Sequence, residues 1–187
     1  MAKKKNITSW KNKKKYTIYA PESFEKKELK STIASDPKQL IGRTIDFSIR
    51  DLSGDRSKQH LKVLFEITDV QGDNAYTQAK MFDTLPGYLK SKVRKGMTKL
   101  DIQRKLNLKD KKIVLKMMVL TRGHIQEHQR VDLTKAIDKI LNSMERKLKA
   151  DEMIQQSLFG KVGTEIYQTL KRIHPIARVE VWQIKVL

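Results

Sequence analysis

The chain has 187 residues, with 40 Lys and Arg against 21 Asp and Glu, a formal charge of +19 and a pI near 10.0. That length holds one medium domain with a real core or a domain plus extensions, and so large a positive charge opposes compaction unless a polyanion relieves it. The lack of cysteine excludes disulfides, thiolate metal sites and cysteine nucleophiles.

Nucleic acid is the first candidate partner and an anionic membrane surface the second. No apolar run approaches the roughly 20 residues that span a bilayer. Met1-Ala2-Lys3-Lys4-Lys5 is not followed by the apolar stretch of a secretory signal, so none is expected.

Residues 1–15 form a basic arm. Lys3, Lys4, Lys5, Lys11, Lys13, Lys14 and Lys15 occur without an acid among them, and Trp10 stands in the middle. The segment has too little apolar surface to fold alone. It is either a solvated tail or an arm that orders on phosphate, with Trp10 stacking on a base or packing on the domain. A short strand is expected at Tyr16-Thr17-Ile18-Tyr19, stopped by Ala20-Pro21, with Tyr16 either in the core or a second stacking residue. Glu22 to Lys38 is polar and is expected to be loop.

Three strands in a row follow. Ile45, Phe47 and Ile49 alternate with polar residues, Leu61, Val63, Phe65 and Ile67 do the same, and Asn74 to Met81 completes a meander. Gly72, within Asp69-Val70-Gln71-Gly72-Asp73, is placed to take a positive φ and close the second hairpin. A helix is predicted from Asp83-Thr84-Leu85-Pro86 to Gly96, with Leu85, Leu89 and Val93 as its apolar line and Lys90, Lys92, Arg94 and Lys95 elsewhere on it. Leu100 to Ile102 and Ile113 to Leu120 are two further strands, the second more deeply buried.

Arg122 to Gln129 is expected to be a loop, and a long helix follows from about Asp132. Its stripe is Ile137, Ile140, Leu141, Met144 and Leu148. Helices are also predicted at Asp151 to Leu158 and at Thr164 to Ile173, the last carrying Lys171 and Arg172. Arg178 to Val186 is the final strand; its phase changes at Trp182, which calls for a bulge or for burial on both sides.

Catalytic and cofactor signatures are missing. The glycines match neither dinucleotide nor phosphate-loop spacing. His124 and His128, four apart, are a weak metal pair with only Glu127 and Asp132 nearby, and a surface or RNA-contacting pair fits them better. His60 and His174 have no nucleophile pattern around them. No catalytic residue, metal or cofactor is assigned.

Four stretches carry a family resemblance. They are Tyr16-Thr17-Ile18-Tyr19-Ala20-Pro21-Glu22-Ser23-Phe24; Ile41-Gly42-Arg43-Thr44 with Ser48-Ile49-Arg50-Asp51-Leu52; Asp69-Val70-Gln71-Gly72-Asp73-Asn74 with Ser91-Lys92-Val93-Arg94-Lys95; and the closing run from Gly160-Lys161 through Ile166-Tyr167, Lys171-Arg172-Ile173-His174-Pro175-Ile176 and Val179-Glu180-Val181 to Lys185-Val186-Leu187. In these the chain resembles the archaeal and eukaryotic small-subunit ribosomal proteins of the eukaryotic-type S-one (S-three-Ae) family, most closely its archaeal members. It departs from the pattern where Glu127, Asp132 and Asp138 dilute the basic stretch after Thr121-Arg122, and where Asp110-Lys111 replaces a glycine turn.

The resemblance implies an α+β protein: a mainly antiparallel β-barrel core with helices packed against it and a basic N-terminal extension. The arm is 1–15 and a single domain covers 16–187, with C-terminal helices over about 132–173 and a last strand at 178–186. It implies a structural, non-enzymatic constituent of the cytoplasmic small ribosomal subunit, bound to ribosomal RNA on the platform near the messenger exit. Its expected neighbours are other small-subunit proteins and messenger RNA, with no membrane.

The residues expected to meet phosphate are the Lys3–Lys15 arm, Arg43, Lys92, Arg94, Lys95, Arg122, Arg130, Lys171 and Arg172, with Trp10 and Tyr16 for stacking. An RNA-processing or modification factor and a DNA-compacting protein are the alternatives. The first would need a convergent acidic or histidine site, the second affinity for duplex DNA.

Overall fold

The computed structural model describes residues 13–187, which fall into two compact units. The first takes in the described chain up to Phe47 together with Leu64–Ala79; the second takes in Ser48–Val63 and Lys80–Leu187. Trp10 and Lys3, Lys4, Lys5 and Lys11 lie outside the described residues.

In the first unit, β1 (Lys14–Tyr19) starts two residues before the strand expected from sequence, so Lys14 and Lys15 already belong to it. It runs antiparallel to β2 (Glu28–Ala34) and parallel to the start of β5 (Asn74–Thr84). β5 also pairs with β4 (Leu61–Gln71), and β4 with β3 (Thr44–Ser48), as the meander predicted. Gly72 takes φ +60° in the tight β4–β5 turn. Tyr16, Ile18, Ala34, Leu40, Ile67 and Ala75 are buried together, with Leu29, Ile45 and Val70 packed against them. Phe65 is the centre of a ring cluster, edge-on to Phe24 at 5.3 Å and tilted against Phe47 at 6.4 Å.

β2 corrects the expectation of a loop over Glu22 to Lys38. Its burial is shallow, and among the described residues the partner that holds it is β1 rather than any local pattern.

The second unit is built on β7 (Lys112–Thr121). It pairs antiparallel with β6 (Lys99–Asn107) on one side and with β8 (Ile176–Val186) on the other, and β8 continues to the end of β5 at Met81–Asp83. Ile113, Leu115 and the run Met117-Met118-Val119-Leu120 are all buried. The register of β7 on β8 slips between Lys116, opposite Gln183, and Met117, opposite Val181, leaving Trp182 as the extra residue. The phase change therefore marks a bulge.

Helices complete this unit: α1 (Ile49–Ser53), α2 (Pro86–Lys92), α3 (Glu127–Lys147), α4 (Ala150–Leu158) and α5 (Lys161–Leu170). α3 buries Leu133, Ile137, Leu141 and Met144: three of the predicted stripe hold, Leu133 joins them one turn earlier, and Ile140 and Leu148 are only half-buried. It starts well before Asp132, and at that start the Gln129 side chain reaches back to accept from Gln126 N–H at 3.1 Å. α2 is shorter than predicted, since β5 runs on to Thr84, and none of its residues is buried.

The α+β class holds. In the first unit the strand order is β2-β1-β5-β4-β3 and in the second β5-β8-β7-β6; neither order returns to its start, so both ladders are open rather than closed into a barrel.

Candidate nucleic-acid interface

In the first unit the candidates split. Lys14 and Lys15 are exposed on β1 beside the exposed Lys13. Lys15 lies opposite Ile33 of β2. The Arg43 guanidinium reaches the same place: Nε donates to Gln39 O at 2.9 Å and Nη1 to Ile33 O at 3.4 Å. Two anchors on carbonyls fix Arg43 while leaving it exposed, which preorganises a cation next to Lys15. Tyr16 is corrected. It is 2% exposed in the core and has no free face on which a base could stack.

In the second unit the fold collects cations from distant parts of the sequence at one end of the β6–β7–β8 ladder. Lys99 pairs with Leu120, and Leu120 with Arg178. Thr121 N–H donates to Thr98 O at 3.0 Å, and Arg122 N–H to Pro175 O at 3.1 Å. The last residue of α2 and the segment after it bring Lys92 and Arg94 to Arg178, and the three line a shallow cleft of about 220 Å³. Lys171 and Arg172 occupy the turn that leads from α5 to Pro175. Arg94, Lys95, Arg122, Lys171 and Arg172 are all exposed. Arg130, in the first turn of α3, reaches Glu127 at 3.8 Å.

Several side chains gathered at this end were not singled out by sequence reasoning. Tyr88 stacks on His60 with centroids 3.7 Å apart and 14° between planes, and Lys92 Nζ lies 4.5 Å from the Tyr88 ring centre. Arg178 Nη1 donates to Tyr88 Oη at 3.2 Å and to Glu180 Oε1 at 2.9 Å. The i, i+4 spacing of Tyr88 and Lys92 and the i, i+2 spacing of Arg178 and Glu180 were signals that each pair shares a face. The position of His60 depended on tertiary contact alone.

Burial holds the His60 imidazole below its ordinary range, with Glu180 pulling the other way. Burial likewise pushes the Tyr88 phenol up. Both rings are therefore neutral near pH 7, and the charge at this end of the ladder comes from Lys and Arg.

His124 and His128 are both exposed, and no group of three metal-ligating side chains occurs among the described residues. No helix among them is long and apolar enough to cross a membrane.

Comparison with known families gives a match to the ribosomal S3Ae family model over residues 1–187. The chain belongs to the ribosomal S3Ae family. A small ribosomal subunit protein eS1 of Methanobrevibacter smithii is 36% identical over 187 residues, covering 100% of this chain and 97% of the relative. The eS1 protein of Methanococcus vannielii is 33% identical over 180 residues, covering 96% and 82%. For this S3Ae chain the matches extend over both units, so the cationic end of β6–β7–β8 and the Arg43 corner lie inside the family segment.

Proposed function

We propose that the exposed cations of both units, with the basic segment preceding β1, neutralise phosphates of small-subunit ribosomal RNA. As a ribosomal S3Ae protein the chain is a structural constituent of the small subunit, ribosome-bound in the cytoplasm, and not an enzyme. Neighbouring small-subunit proteins are partners in that assembly.

The observation that carries the RNA reading is the gathering of Lys92, Arg94, Arg122, Lys171, Arg172 and Arg178 at one end of a single ladder, in a chain of formal charge +19. Cations held on strand ends and short turns meet a rigid phosphate array with little ordering cost. Structured RNA is then read through backbone and shape. Placement on the platform, and messenger RNA as a neighbour near the exit, are supported by the family resemblance.

The test is the salt dependence of binding to small-subunit ribosomal RNA. Each phosphate contact adds about 0.7 to 0.9 to the log–log slope. Replacing Arg94, Arg122 and Arg172 by alanine together lowers the slope by about 2 to 3 if each meets a phosphate. An unchanged slope removes this end of the ladder from the interface. Duplex DNA competing equally with ribosomal RNA at the same salt would favour the DNA-compacting alternative.

A further inference from the structure

The cleft with the most developed chemistry in the second unit is not the one that gathers the cations. It lies between the start of β4, α4, α5 and β8, and has a volume of about 460 Å³. That falls within the range of small-ligand sites. Three features converge there. The N-terminus of α5 reaches the cleft at Gly160, Gly163 and Thr164; Gly160 takes φ +71° and no side chain caps the helix, so its positive end faces an acceptor there. Lys58 lines the cleft with its Nζ 4.8 Å from the centre of the Phe159 ring, and that ring is 66% exposed. Lys58 also has the Asp55 carboxylate at 3.9 Å, a long contact that leaves its charge partly unspent.

The fourth feature is independent of the helix end. Ser157 lines the same cleft and is 7% exposed, and its hydroxyl has no hydrogen-bond partner. A buried hydroxyl without a partner destabilises the free protein. The adjacent backbone does not relieve it: the Ser157 carbonyl accepts from Gly160 N–H at 3.0 Å, but the side chain has no such contact.

We propose that this cleft seats one unstacked nucleotide of a bound RNA strand. The phosphate takes the α5 N-terminus and Lys58, the base lies on the exposed Phe159 ring, and Ser157 Oγ turns to hydrogen-bond it. The inference rests on the RNA-binding reading above and deepens it by naming a site for a single-stranded position. A nucleotide fits better than an acidic peptide because the anion subsite is coupled to an exposed aromatic ring, and a base has a π-face to offer it.

The test uses the full-length protein, titrated with adenosine monophosphate, cytidine monophosphate, inorganic phosphate and a hexaglutamate peptide while the backbone amides are observed. The nucleotides should shift the amides of Lys161, Val162 and Gly163 saturably, and bind more tightly than phosphate alone by about fivefold or more. Phe159→Ala should remove that advantage. Ser157→Ala should weaken the nucleotides by about threefold while raising the Tm of the free protein, an opposed pair of effects expected of a hydroxyl kept for a ligand.

Equal affinity for phosphate and nucleotide, tighter binding of the peptide, or nucleotide affinity untouched by both variants would each overturn the proposal. A parallel titration with small-subunit ribosomal RNA separates the two readings. Strong, salt-dependent RNA binding without a nucleotide response sinks only the cleft; loss of RNA binding itself sinks the reading beneath it.

Discussion

At Gly163 the space beyond one hydrogen atom decides how α5 lies on β8. A Cβ built there would be 3.2 Å from the carbonyl oxygen of Val179, a backbone atom of a strand that is itself paired with Val119 of β7. Glycine inside a helix costs about 1 kcal/mol against alanine, so propensity alone predicts that Gly163→Ala stabilises. The paired strand cannot withdraw as a flexible side chain could, and overpacking of this kind costs about 1 to 3 kcal/mol. Gly163→Ala should therefore lower the urea midpoint; an increase would show that the α5–β8 spacing relaxes. His60 makes a second residue-scale case. Its folded pKa lies below the ordinary value of 6.5, so the unfolded chain binds the extra proton first. Its contribution is complete above that ordinary value and is lost as pH falls through it toward the folded pKa. His60→Phe keeps a ring against Tyr88 and should flatten the loss of stability between about pH 7 and pH 5, measured as urea midpoints. An equal pH dependence in the variant would mean that another group carries it.

Among the elements, α3 shows how acids in a basic chain are used. Arg104 of β6 makes a two-pronged pair with Asp138, Nε to Oδ1 at 2.7 Å and Nη2 to Oδ2 at 3.1 Å, and Asn107 N–H donates to Glu145 Oε1 at 2.6 Å. The acids that dilute the basic stretch after Arg122 thus include fasteners of the helix to β6. The pair is 39% exposed on each side, so Asp138→Ala should cost no more than about 1 kcal/mol. Ile137→Ala, in the fully buried stripe, should cost about 2 to 5 kcal/mol. Reversal of that order in chemical denaturation would mean that polar fastening, not packing, seats α3. The same comparison shows what was legible in the sequence. The stripes Leu133-Ile137-Leu141 and Leu85-Leu89-Val93 have equally good spacing, yet the first is buried and the second leaves Leu85 and Val93 at 41% and 38% exposed. Periodicity gives a face but not a surface to cover it. The meander, the turn at Gly72 and the bulge at Trp182 were readable because alternation and its interruption are local. β2 was not, because Leu29 and Ile33 become a strand only when β1 supplies the ladder. Among the candidate cations, Arg43, Lys92, Arg94 and Arg122 could be chosen by charge and resemblance. Arg178, Tyr88 and His60 could not, since strand pairing and a ring stack assemble them.

For the whole molecule the governing quantity is charge. A chain at +19 gains from every phosphate that displaces self-repulsion with attraction, and released counterions make that gain depend on salt. The basic segment can be tested by truncation: β1 begins at Lys14, so removal of residues 1–12 deletes no residue of a described strand. Those residues carry Lys3, Lys4, Lys5 and Lys11. If all four meet phosphate, truncation lowers the log–log salt slope for small-subunit ribosomal RNA by about 3 to 4. If Trp10 stacks on a base, truncation still lowers affinity at high salt, where the electrostatic share is weakest and stacking persists. Trp10→Ala in the full chain separates these effects: it should reduce affinity at every salt concentration by about the same factor and leave the slope unchanged. Truncation that leaves both Tm and slope unaltered would confine RNA recognition to the folded units, and the cations of Arg43 and of the β6–β7–β8 end would then have to account for the whole salt dependence.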